Sequence, residues 1–461
     1  MLSPLMNTIK IILTVLIILI FGCDDAVDKP KEKDQTVIGR DSWKIVQEDI
    51  FASNCVDCHT VGTSFANQSD LLLTSDVAYD QLMNHPVNNQ SALDNNLERL
   101  GTEGLSSLYK SFLWEKINAP DKEHFYGEHP HYGSLMPLGM PYLTNGQLEF
   151  IRQWIVAGAP ETGVVADSSL FDDTTRFVEV EFAPLTPPEN GIQVHLGPFE
   201  VQPHYEREFL NFVNIDTLDE VYIKQYEISM RSGSHHFILY TFNNVVPPML
   251  VPDPGEYRDY RDANGNYLIN NLAITSYHVY FAGTQWPYMN YHFPPGVALK
   301  VDINDGLDQN SHYINRTDEV QIGEVYTNIY FADPSEVEHE AQVMFINKTD
   351  FELPPHEITT LEHTISVGER IHIFQLFSHA HEHLLEFSVE IVGGDRDGEL
   401  VYFAYDWEHP PILDLDPPIT LEAGEGLKLN ATYDNWTDKT LRFGLLGEDE
   451  MMILFGYYYT D

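Results

Sequence analysis

Apolar residues change their spacing twice along the chain. Residues 11–21 form an apolar run behind Lys10, too short to cross a bilayer comfortably and of the length of a signal-peptide core. Val46, Ile50 and Phe51 then make a short helical stripe, and Leu148, Ile151 and Ile155 make a second one. The second stripe carries its own punctuation. Thr144, with Gln147 three residues on, forms a capping box, and Gly158 ends the helix. From Phe177 onward the helical period disappears. Short β-rich runs, at 237–240, 387–391 and 452–459, alternate with clusters of Pro, Gly, Asn and Asp, and residues 393–398 read as a hairpin-type turn. Many short strands between turn signals predict β-sandwiches, and a stretch of roughly 285 residues is long for one and comfortable for two. The cut between them is expected near residues 347–355, with Pro354-Pro355 at its end.

Composition bounds what such a chain can do. It has 461 residues, 43% of them hydrophobic and 12% aromatic, enough to bury several cores. Acidic residues outnumber basic ones by 71 to 25, a net charge of −46. That balance argues against nucleic acid and against polybasic attachment to anionic lipid. The first apolar run ends in Gly22-Cys23, which resembles a bacterial lipoprotein signal in which the Cys is acylated and becomes the mature N-terminus. The expected layout is a signal peptide over 1–22, lipidation at Cys23, and a polar tether over 23–40. The bulk of the chain is then exported and membrane-anchored, facing the periplasm or the cell surface.

Cys55-Val56-Asp57-Cys58-His59 is C-x-x-C-H, the attachment motif of c-type haem. Two thiols form thioethers to the porphyrin, and the adjacent His places an imidazole on the iron. The three cysteines are thereby accounted for: Cys23 by lipid, Cys55 and Cys58 by haem, and none is left for a disulfide. The Pro-rich loop 134–141 carries Met136 and Met140. A Met-Pro loop before a terminal helix resembles the second half of class I cytochromes c, so Met136 is the first choice of second ligand and Met140 the next. His129 and His131 are the rivals; a thioether raises the haem potential, and a second His would set it lower. Residues 41–162 are expected to form one mostly α cytochrome c domain.

In the β-rich part the histidines stand out. His379-Ala380-His381 follows an apolar run that reads as a strand, where residues two apart share a face. Two imidazoles side by side suit copper, zinc, iron or nickel. His383 lies on the same face by alternation. His235-His236 are neighbours, so both can serve one metal only at a bulge, bend or strand end, and Gly233 supplies such a break. His312-Tyr313 follows a Pro-Pro-Gly loop at 294–296, and Asp449-Glu450-Met451 stands near the end.

Taken in order, His-His, His-Tyr, His-x-His and Asp-Glu-Met resemble the copper type II, ascorbate-dependent monooxygenases, the family of peptidylglycine α-hydroxylating monooxygenase and dopamine β-monooxygenase. Phe293-Pro294-Pro295-Gly296, Asp406-Trp407 and Thr432-Tyr433-Asp434-Asn435 are similar to further landmarks of that family. The resemblance covers 177–461. It implies two all-β, jelly-roll-like sandwiches, 177–345 and 346–461, with one copper on each. By position His235, His236 and His312 match the electron-storing site, and His379, His381 and Met451 the site that activates O₂. His383 becomes a supporting residue. Two imidazoles with a soft thioether favour Cu(I), the state that meets O₂. Where the peptide-processing member holds its substrate carboxylate with Arg, Asn and Tyr, this chain has Phe377, Ile453 and Phe455, which disfavours peptide amidation and favours an apolar or aromatic substrate.

The expectation is therefore a membrane-tethered copper monooxygenase that hydroxylates a C–H bond of a small organic molecule with O₂. Its electrons would come through the fused haem, from ascorbate or a redox protein. The alternative is a non-enzymatic haem and copper electron-transfer or copper-handling lipoprotein.

Overall fold

The computed structural model describes residues 39–461, apart from 120–121, 216–219, 244–245, 248, 304–305 and 446–448. The expected signal peptide, Cys23 and nearly all of the tether lie outside the described residues. Among the described residues, no helix is long and apolar enough to cross a membrane.

The expectation of a mostly α cytochrome c domain is overturned. The chain is mainly β, with 39% of it in strands against 20% in helices, and no large helical domain is present among the described residues. Apart from Asn145–Val156, the α-helical pieces between Ser42 and Val156 hold only three to seven residues each. The sequence breaks them. Asp70, Asn96 and Gly104, with φ of 51°, 59° and 73°, turn the chain left-handed, and Pro, Gly and Asn recur through 84–141. These pieces still bury two apolar clusters, and in the larger Trp43 stacks on Trp154 at 5.3 Å with Ile50, Phe51 and Ile151 in the same cluster. Helix Asn145–Val156 has the capping box read from Thr144 and Gln147, with Thr144 Oγ1 accepting from Gln147 N at 3.1 Å and Gln147 Oε1 from Thr144 N at 3.0 Å.

The rest is built on one continuous nine-stranded sheet. Its path runs Gly191–Val201, Gln321–Phe331, Glu220–Met230, Val297–Asp302, His339–Asn347, Ile453–Thr460, Ile371–His379 and Leu413–Leu421, with Tyr288–His292 also paired to Glu220–Met230. Three smaller sheets complete it: a five-stranded one, Tyr257–Asp259, Tyr205–Val213, Leu307–Asn315, Ser234–Phe242 and His278–Thr284, a four-stranded one, Glu357–Ser366, Gly426–Asn435, Leu384–Val392 and Leu400–Ala404, and a two-stranded one, Glu352–Leu353 with Leu441–Arg442. One apolar core contains residues of the large and five-stranded sheets, and a second those of the large and four-stranded sheets. The two halves meet inside the large sheet, where Val297–Asp302 and His339–Asn347 pair in parallel at residues 297–299 and 339–341. Tyr457 belongs to the first core although it lies at the C-terminal end of the chain, and its hydroxyl donates to the Phe281 carbonyl at 2.5 Å.

The helical segment packs on the second half. Arg152 lies over the rings of Phe403 and Tyr405, at 5.0 and 4.9 Å, and Trp114 meets Tyr405 edge-on at 5.8 Å. The Tyr109 hydroxyl donates to the Tyr405 carbonyl, and Ser106 Oγ donates to Asp434 Oδ2 at 2.7 Å.

Candidate metal centre

Strands Ser234–Phe242 and Leu307–Asn315 are antiparallel neighbours, and their register slips between Ser234 and His236. The slip bulges the chain at His235, beside Gly233 with its φ of +86°. A bulge lets adjacent residues face one way, and here both imidazoles reach His312. The rings of His235, His236 and His312 stand 5.0–5.3 Å from one another. From the other half come His379, last residue of strand Ile371–His379, and His381 in the turn after it, with rings 5.3 Å apart. The side-by-side pair expected on one strand is thus a strand end plus a turn, and its rings cross at 87°.

The two groups of histidines are not separate. The His235 ring lies 5.6 Å from His379 and 5.9 Å from His381, and His236 lies 5.7 Å from His379. All five are buried. His235, His236 and His379 bring ligand atoms within 4.8 Å of one another, and so do Glu208, His236 and His312.

Four of the five rings are oriented from behind. His379 Nδ1 donates to Gln285 Oε1 at 2.9 Å, and Gln285 Nε2 donates to the carbonyls of Trp407 and Glu408, which fixes the amide orientation. His381 Nδ1 donates to the Asp449 carbonyl at 3.0 Å. His312 Nε2 meets Glu206 at 2.8 Å, and His236 Nε2 meets Asn310 Oδ1 at 2.8 Å. Burial would raise the Glu206 carboxyl, but His312 and Arg261 outweigh it and hold it well below the usual carboxylate range. With one ring nitrogen so engaged, the other presents a lone pair. Three of the facing nitrogens, His235 Nε2, His236 Nδ1 and His312 Nδ1, are buried without any hydrogen-bond partner. Burial, and then the neighbouring imidazoles, push His235 and His379 well below the usual histidine value. Burial brings His381 down to about 4 against the opposing pull of the Asp449 carbonyl. Convergent imidazoles with orphaned nitrogens are the donor set a soft or borderline cation takes.

Met451 lies in an apolar cluster with Phe377, Ile453 and Phe455, and with His379 it lines one cavity. Tyr433, from the Thr-Tyr-Asp-Asn stretch, holds its carbonyl with a 2.7 Å hydrogen bond. The fully buried Glu450 accepts from the amides of His381, His383 and Met451 at 3.1, 2.8 and 3.1 Å. One carboxyl thus ties the His-x-His turn to Met451. His383 does not join the five rings: its Nδ1 donates to the Asp434 carbonyl and its ring lies on Trp436 at 4.0 Å. Trp407 packs on His235 at 5.2 Å. A cavity of about 500 Å³ opens beside the cluster at the seam of the two halves.

The haem-motif residues also come together. Cys55, Cys58, His59, Met136 and Met140 line one pocket with Leu73, Leu82 and Ile117. Both thiols are free, and burial, then the neighbouring Cys58, pushes the Cys55 thiol up to about 12. His59 is buried, with Nδ1 donating to the Leu71 carbonyl at 3.2 Å, which leaves its other nitrogen for a metal. Met136 is half-buried and Met140 is 49% exposed, so Met136 is the better placed of the two. His129 stacks on Tyr132 at 4.4 Å, His131 is exposed, and neither lines the pocket. Two thiols, an imidazole and a thioether on one apolar wall fit a covalent haem.

Sequence reasoning missed the supporting shell: Glu206, Glu208, Gln285 and Asn310. The alternation Glu206-x-Glu208 on one strand was a signal, since it places two carboxylates on one face. What it faces depends on the pairing of Glu208 with His312, which only the fold supplies.

No family model matches the sequence, and no curated protein does. Among solved structures the chain is similar to the major capsid protein P2 of bacteriophage PM2, at 11% identity and a TM-score of 0.24 over 58% of this chain and 97% of that one. It is also similar to PNGF-II, at 10% identity and a TM-score of 0.24 over 55% of this chain and 60% of that one. Likenesses of this size carry no argument about what the chain does.

Proposed function

We propose that the chain is an exported, lipid-anchored haem and copper monooxygenase that hydroxylates a C–H bond of a small organic substrate. The observation that carries this reading is the set of three buried, unpartnered imidazole nitrogens, on His235, His236 and His312, beside His379, His381 and Met451. His235, His236 and His312 would hold one copper ion, and His379, His381 and Met451 a second. Cys55, Cys58 and His59 would hold a haem, with Met136 as its other axial ligand. Bound in these places, the metals would supply single electrons and activate O₂, with ascorbate or a redox protein as the outside donor.

The protein's own residues prepare the site. Gln285, Asp449, Glu206 and Asn310 hold the rings so that no reorientation is needed on metal binding. Glu450 fixes the spacing between the His-x-His turn and Met451. The apolar wall of the adjoining cavity excludes water from the place where a substrate would sit. The helix Phe112–Ile117 lines the Cys55–Met136 pocket on one side, and its Trp114 touches Tyr405, two residues before the Trp407 that packs on His235. That contact path supports a role for the haem residues in feeding the histidine cluster.

The test is to purify the full chain, count copper and haem, and measure O₂ uptake coupled to hydroxylation over a panel of apolar and aromatic molecules. Two coppers, one haem and coupled product are expected, and His379→Ala abolishes product. Metals bound with O₂ never coupled to product would leave the electron-transfer or copper-handling reading. No copper bound would end both.

A further inference from the structure

The cavity beside the histidines has a chemistry of its own. Its far wall is aromatic. Phe377 and Phe455 stack at 5.1 Å with their rings 11° from parallel, and Tyr280 and Phe345 pack on Phe455 at 4.9 and 5.2 Å. Among the described residues that line it, none is Lys or Arg. Its one carboxylate, Glu208, is already engaged by Asn310 at 3.2 Å and by His236 at 3.6 Å.

Against this wall two polar atoms are unmatched. Asn347 and Tyr280 both line the cavity, and Asn347 Oδ1 and the Tyr280 hydroxyl are buried without a hydrogen-bond partner. The Tyr280 hydroxyl lies beside that of Tyr457, but Tyr457 gives its proton to the Phe281 carbonyl and makes no bond of good geometry to Tyr280. An unsatisfied buried polar group costs about 1–3 kcal/mol, and a ligand that brings a donor relieves it. A carboxylate would find no cation here. An ammonium would lose its hydration with no free carboxylate among the described lining residues to replace it.

We propose that this cavity binds a neutral aromatic or alicyclic molecule that carries a hydroxyl. Its ring lies against Phe455 and Tyr280, its hydroxyl donates to Asn347 Oδ1, and its remaining edge faces His379 and Met451. The volume of about 500 Å³ suits a molecule of one to three rings. That this molecule is the substrate rests on the copper reading above; that it binds does not.

The experiment uses the full chain with copper removed by chelation, titrated calorimetrically with 2-naphthol, naphthalene, naphthalene-2-carboxylate and 2-naphthylmethylammonium. We expect 2-naphthol to bind and each ion to bind roughly tenfold or more weakly, about 1.4 kcal/mol or more. Phe455→Ala should weaken 2-naphthol by roughly tenfold, and Asn347→Leu should erase the preference for 2-naphthol over naphthalene. Asn347→Leu decides the matter where Phe455→Ala does not fold. The proposal is overturned if the carboxylate binds as tightly as the alcohol, if 2-naphthol does not bind, or if Asn347→Leu leaves the preference intact. Copper is counted separately on untreated protein. Naphthol binding without copper would sink the monooxygenase reading and leave this one standing, and copper without naphthol binding would do the reverse.

Discussion

Glu450 shows what one side chain does here. It is fully buried, and burial, opposed by the three amides it serves, pushes its carboxyl up to about 8. Its two oxygens take N–H groups from His381, His383 and Met451, which have no regular strand to pair with beyond His379. Glu450→Ala leaves three buried donors without acceptors. Each such loss costs about 1–3 kcal/mol, so the variant should be destabilised by at least about 3 kcal/mol, read as a fall in the thermal midpoint. It should also lose the copper assigned to His379, His381 and Met451 while keeping the one assigned to His235, His236 and His312. Metal analysis of the variant checks this, and equal loss of both would show that the two groups of ligands cannot be filled independently. Glu450→Gln keeps one acceptor oxygen and should fall between the variant and the parent.

Elements differ in how far the sequence specified them, and the difference is physical. Helix Asn145–Val156 was legible because its signals are local: a capping box, a stripe at 148, 151 and 155, and a terminal Gly. Thr144→Ala removes the acceptor for Gln147 N and should cost ~1 kcal/mol. Faster amide hydrogen exchange across Asn145–Val156 measures it. The bulge at His235 was legible too, since two neighbouring ligands require one and Gly233 precedes them. The His379-x-His381 pair was read as two positions on one strand, and there the alternation misled, because the strand ends at His379 for a reason seventy residues away, the Glu450 carboxyl. The mostly α domain expected over 41–162 was wrong because helical stripes say nothing about length. Left-handed residues at 70 and 96 stop Ser64–Ser69 and Gln90–Asp94 after about two turns or less. The single sheet joining both halves was not legible at all. It depends on a parallel pairing of residues 297–299 with 339–341, and such register leaves no mark in composition or period.

At the scale of the whole molecule, the helical segment and the second half share one interface, and two predictions belong to it. Trp407 sits between Tyr405, which Trp114 touches, and the His235 ring, so Trp407→Leu should leave metal content unchanged and slow reoxidation of the reduced haem on copper loading. Stopped-flow absorbance of the haem band reads that rate, and an unchanged rate would place the path elsewhere. The second concerns pH. Glu115 is half-buried at this interface, and desolvation first, then Glu408, Asp406 and Glu128, pushes its carboxyl up to about 8. An unfolded Glu titrates near ~4.3. Below that value both states are protonated and the interface carries no penalty. As pH rises from about 4.3 to about 8, the unfolded chain ionises freely while the folded one holds its proton, so stability falls steadily and the loss is complete once Glu115 ionises in place. Docking of the helical segment should therefore be strongest in mildly acidic solution. Glu450, held up like Glu115, slopes the same way, and Glu206, held down, slopes the opposite way, so the parent curve alone does not isolate Glu115. The difference between the parent and Glu115→Gln does, because the amide keeps the shape and removes the proton. The Gln variant should lose less thermal stability than the parent between about pH 5 and about pH 8, and equal slopes would show that the acidic interface does not hold Glu115 neutral.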